Sequence, residues 1–63
     1  MIFGWNVGDR LHDDDFGLDG TVVSVWPLDP GVMDVVLDVR WDDGTTSDFM
    51  PDEKTRRIGS ATP

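Results

Sequence analysis

A chain of 63 residues without cysteine reads as one small domain that must be held together by packing or by a partner. Disulfides, thiolate nucleophiles and cysteine zinc sites are all excluded. Twelve Asp and one Glu stand against Arg10, Arg40, Lys54, Arg56 and Arg57, a net charge of −8, and a field of that sign disfavours direct binding to phosphate backbones.

In chain order, residues 1–6 read as an N-terminal arm, and Val7-Gly-Asp-Arg-Leu11 as a first short strand. His12 to Asp19 is expected to be an acidic loop around Phe16. Gly20-Thr-Val-Val-Ser-Val-Trp26 is rich in β-formers and bounded by Asp19-Gly20 and Pro27, so it is a second strand, with neither face marked as the buried one. Pro27 to Val32 is a turn. The clearest period follows: Met33, Val35, Leu37, Val39 and Trp41 alternate with Asp34, Asp38 and Arg40, which is a third strand with one buried face. Asp42-Asp43-Gly44 then supplies the residue types that a tight hairpin turn requires, leading into a fourth strand over 45–50. Pro51 ends that strand, since it has no N–H to donate. Pro51 to Lys54 is expected to form one helical turn, Thr55 to Ile58 a last strand, and 59–63 a frayed tail. Five short strands and one helical turn predict an all-β, five-stranded small antiparallel barrel over 7–58. The six Trp and Phe supply much of its core.

The segments Val7-Gly8-Asp9-Arg10-Leu11, Asp19-Gly20-Thr21-Val22-Val23-Ser24-Val25, Val39-Arg40-Trp41-Asp42-Asp43-Gly44 and Phe49-Met50-Pro51 together resemble SH3-like barrels of the KOW and Tudor-like type. They are most similar to short bacterial SH3-like domains of unknown function. The resemblance implies the fold. It also implies a binding groove between the loop joining the first two strands and the short helical turn, with Phe16, Trp26, Trp41 and Phe49 as its aromatic candidates. Many KOW modules bind RNA through a basic surface, which this chain lacks, so that activity does not carry over.

Clusters that suggest chemistry have simpler readings. Asp13, Asp14 and Asp15 with Asp19 supply oxygen ligands, but their spacing does not match a calcium loop, and a solvated acidic loop explains them. Asp42 and Asp43 fall at a hairpin tip, where water keeps both ionised and unsuited to paired acid/base work. His12 is the only histidine, and Ser24 and Ser47 have no companion base. No catalytic residue, cofactor or metal site is therefore assigned. Asp13, Asp14, Asp15, Asp42 and Asp43 are expected to line the groove beside the four aromatics and to select basic partners. A cage for a methylated cation would use the same groups, although packing alone accounts for the aromatics.

The function expected is a non-enzymatic module that binds a basic protein or peptide. Two rivals remain open: a self-assembling structural subunit of a virion or complex, whose mark would be a self-contact through Trp5, and an acidic decoy that imitates DNA. The single Lys, single Asn and absent Tyr point to a GC-rich bacterial or phage genome, though salt-loving organisms share the pattern. No apolar stretch approaches the roughly 18 residues of a membrane span, and Met-Ile-Phe-Gly-Trp lacks the basic start of a signal peptide. A cytoplasmic or virion protein is expected.

Overall fold

Alternation along β3 (Val35–Trp41) organises the molecule. Val35, Leu37, Val39 and Trp41 are buried while Val36, Asp38 and Arg40 face outward, as the period-2 pattern predicts. In the computed structural model, which describes residues 4–27 and 35–60, β3 is one of five antiparallel strands. The others are β1 (Arg10–Asp13), β2 (Leu18–Pro27), β4 (Thr46–Phe49) and β5 (Thr55–Gly59), in the spatial order β4-β3-β2-β1-β5. Met33 and Asp34, and the turn expected over 28–32, lie outside the described residues.

The sheet is open. β4 and β5 end the order and do not pair with each other, so the expected barrel is not closed. Short chain length at the edges explains this: β4 has four residues, and Pro51, just after it, cannot donate a ladder hydrogen bond. Pro51 to Lys54 form no helical turn. Asp52 N donates to Thr55 Oγ1 (3.1 Å), the Asp52 carboxylate takes the Lys54 N–H (2.9 Å), and Thr55 N closes a β-turn on Asp52 O (3.1 Å). A side chain that captures backbone N–H groups locally competes with helix in this way.

Two further boundaries differ from expectation. Val7 and Gly8 belong to a turn closed by Asp9 N on Asn6 O (3.0 Å), with Gly8 at φ 92°, so β1 starts only at Arg10. His12 to Asp19 is a hairpin, with His12 opposite Asp19 and Asp13 opposite Leu18. Its four-residue turn is closed by Gly17 N on Asp13 O (2.8 Å). At the other end Gly59, assigned to the tail, is the last residue of β5 and lies opposite Arg10.

β2 buries both of its alternating sets in turn. Gly20 and Val22 face the core, a bulge follows between Val22 and Ser24, and beyond it Val25 packs against the core while Trp26 points outward. The bulge is the reason that no single buried face could be read for this strand. The expected Asp-Gly hairpin is present: Trp41 N donates to Thr45 O (2.8 Å) and Gly44 N to Trp41 O (2.9 Å), with Gly44 at φ 94°.

The core consists of Leu11, Val22, Val35, Leu37, Val39, Trp41 and Phe49, with Trp5, Leu18 and Val25 packed against it. Its tightest point is Gly20, where a Cβ would lie 2.5 Å from Val39 Cγ1 and 2.9 Å from Trp41 Cε3. Gly20→Ala therefore forces β2 away from β3. A loss of about 1–3 kcal/mol is expected, read as a lowered urea midpoint with the fold class retained by circular dichroism.

Candidate functional site

The groove residues expected from the sequence divide into three places. The first is the inner face. Trp41 and Phe49 are buried and meet edge-to-face (5.5 Å, 89°), and Phe16 covers them, 5.5 Å from Trp41 and 6.0 Å from Phe49. The Trp41 indole N–H donates to Ser47 Oγ (2.8 Å). Trp41 and Phe49 thus belong to the core. Phe16, 58% exposed, closes the end of that core from the β1–β2 turn.

The second place is the acidic run. Asp13 is not on the surface: it is buried, its carboxylate accepts the Phe16 N–H (2.9 Å) and the Thr55 hydroxyl (3.4 Å), and it shapes the turn. Asp14 and Asp15 are exposed but paired with β5 and the turn before it. Arg56 (3.2 Å) and His12 Nε2 (3.2 Å) reach Asp14, and Lys54 (3.2 Å) reaches Asp15, whose carboxylate holds the ammonium pKa above its ordinary value. His12 Nδ1 contacts Asp19 (2.6 Å). Asp42 is held in a two-bond fork by Arg10 (2.8 and 2.7 Å), which also donates to Thr21 Oγ1 (2.9 Å). That fork keeps the Asp42 carboxyl below the usual range. Asp43 accepts the Thr45 hydroxyl (2.6 Å) and N–H (3.0 Å), which lower its pKa, and serves the hairpin turn. Asp42 thus lines a depression together with Trp41, whereas Asp13, Asp14 and Asp15 are tied to β5 and the turn before it.

The third place is the outer face at the β2–β3–β4 end. Trp26, opposite Val36, is 58% exposed, and its indole N–H is fixed on Asp38 Oδ2 (2.9 Å). Asp38 stands directly across from Asp48. Like charges opposed across strands repel, and the consequence is unequal. The hydrogen bond to Asp48 and then the Trp26 N–H hold Asp38 below the usual carboxyl range, while Asp38 pushes Asp48 above it. Among the described residues no cation of the chain forms an ion pair with either. Asp38 and Asp48 were not among the residues expected at the site. Alternation along the third strand marked Asp38 as a solvent position, and only the β3–β4 register brings Asp48 face to face with it.

A shallow depression of about 470 Å³ on the same face is lined by Thr21, Val23, Arg40, Trp41, Asp42 and Gly44. Among the described residues no three His, Cys, Asp or Glu side chains gather as a metal site would require, and no helix is long and apolar enough to cross a membrane. Comparison with protein-family models, curated proteins and solved structures finds no match to this chain.

The different duties of the neighbouring carboxylates separate by mutation. Asp13→Ala leaves the Phe16 N–H without its acceptor and removes a partner of the Thr55 hydroxyl, and should cost about 1–3 kcal/mol. Asp14→Ala and Asp15→Ala should leave the urea midpoint essentially unchanged, since their ion pairs are exposed.

Proposed function

We propose that this chain is a non-enzymatic interaction module of SH3-like type that binds a basic protein or peptide. The observation that carries the reading is the uncompensated outer-face patch, in which exposed Trp26 stands on Asp38 beside Asp48. The chain pairs its other outer-face strand carboxylates internally: Asp19 meets His12, and Asp42, just past the end of β3, meets Arg10. What remains is negative charge next to an aromatic surface, a combination that suits cationic side chains with apolar stems. Basic peptides match it in charge, and the overall −8 steers them toward it.

The SH3-like assignment draws support from the topology. A meander whose last strand returns beside its first needs only the β4–β5 junction to become a barrel, and the bulge in β2 is the kind of device that bends a sheet toward closure. Self-assembly through Trp5 has less to rest on, because Trp5 packs against its own core under the guanidinium of Arg57 (4.8 Å).

Titration of the intact protein with a fluorescent oligolysine peptide tests the proposal. Trp26→Ala should weaken binding by about tenfold or more while leaving the thermal midpoint close to that of the parent, and added salt should weaken binding in both proteins. Unchanged affinity in Trp26→Ala would remove the patch from the interaction.

A further inference from the structure

The opposed pair Asp38 and Asp48 is an unusual use of two positions in a sheet this small. Directly facing carboxylates oppose the pairing of β3 with β4, and β4 has only four residues to hold itself in place. Relief requires a positive charge between the two carboxylates, and two sources exist: a proton from water or a cationic side chain from outside. Among the described residues the chain supplies no ion-pairing cation to either carboxylate. On this face Asp38 is flanked along β3 by Val36 and Arg40, and across β2 it meets Ser24 and the Trp26 indole; Asp48 is flanked along β4 by Thr46. Arg40 lies opposite Thr21 and Thr46 and forms no ion pair with either carboxylate.

Resting on the basic-partner reading above, we infer that a lysine or arginine side chain of the partner seats between Asp38 and Asp48 against Trp26 and displaces the proton that the pair otherwise holds, so that binding is coupled to pH. Geometry decides which carboxyl carries that proton. The Trp26 N–H already donates to Asp38 Oδ2 (2.9 Å) and stabilises its charge, whereas among the described residues no such donor reaches Asp48. Asp48 is therefore the carboxyl whose charge is disfavoured and Asp38 the one whose charge is favoured, the same order in which their acidities are displaced.

The sign follows from Asp48. Its proton is held to a higher pH than an ordinary aspartate's, near 3.9, so the like-charge penalty is absent below that value and develops as pH rises through the Asp48 titration in the free protein. A bound cation favours the ionised pair and moves the titration to lower pH. Affinity therefore rises with pH across that window, by up to about tenfold per unit for one released proton, and then levels off. An incoming cation gains both the second carboxylate and the relief of the β3–β4 repulsion, while the indole face excludes water from one side of the contact.

The test is carbon-detected NMR of the aspartate carboxyls with and without saturating oligolysine peptide, paired with peptide affinity measured from about pH 4 to 7 for the parent and Asp48→Asn. Support is a high-titrating Asp48 whose midpoint moves down on binding, and a pH profile that flattens in Asp48→Asn. The variant is expected to unfold at or above the parent's thermal midpoint, because the like-charge repulsion across the β3–β4 ladder is removed. Peptide binding with an unmoved Asp48 midpoint, or a variant profile superimposable on the parent's, overturns the exchange and leaves the interaction reading standing. Absence of peptide binding at neutral pH and low salt overturns the interaction reading, and the exchange with it.

Discussion

The closest approach of β2 to β3 is set by the absence of a side chain at position 20. Gly20 lies opposite Trp41, and the space a methyl group would take is occupied by Val39 Cγ1 and Trp41 Cε3. Trp41 then fixes much else. Phe49 of β4 and Phe16 of the β1–β2 turn meet its ring edge-to-face, and Ser47 takes its indole proton. One tryptophan thereby ties two strands and a turn to β3, in a chain that has no disulfide to do so. Few residues are available to share that load, since small domains bury a lower fraction of their surface.

Two buried carboxylates extend this core where apolar residues run out. Asp9 accepts the Asn6 N–H (2.9 Å) and lies 3.3 Å from Arg57 Nε, which in turn covers Trp5. Asp13 holds the Phe16 N–H and the Thr55 hydroxyl. Burying a charge is costly unless it is bonded, and here the bonds go to backbone groups of turns that would otherwise need water. The result couples local turn geometry to long-range contacts: Asp9 joins the N-terminal segment to β5, and Asp13 joins β1 to β5. Among the described residues no buried side-chain polar atom lacks a partner.

These same carboxylates explain where sequence reading succeeded and failed. β3 and the Asp-Gly hairpin were legible because alternation and turn chemistry agree there. β1 was placed too early because Asp13 occupies an inward position that a hydrophobic pattern assigns to solvent, and the run of three Asp concealed a hairpin. The face of β2 could not be read because its bulge reverses the alternation at Val23. The helical turn after Pro51 lost to an Asp52 side chain that captures the backbone first. At the candidate site Trp26 was named from the sequence, whereas Asp38 and Asp48 were missed for a physical reason. Each is an ordinary outward strand residue on its own, and their significance is a property of pairing register, which a single strand's period does not contain.

Charge distribution follows from the same register. The cations are concentrated on β1, β5 and the turn before β5, where Arg10, Lys54, Arg56 and Arg57 meet Asp42, Asp15, Asp14 and Asp9. A net charge of −8 therefore does not describe a uniform surface. One end of the sheet is locally compensated and is felt by a distant charge mainly as alternating dipoles, which fall off faster than a net charge. At the other end the opposed pair Asp38 and Asp48 forms no ion pair among the described residues, at the short edge strand β4. Screening over a Debye length of about 8 Å at physiological salt confines the attraction of such a patch to its immediate surroundings. For the basic partner proposed above, long-range steering would set how often it arrives, whereas the β3–β4 register and the indole fixed on Asp38 would set where it stays.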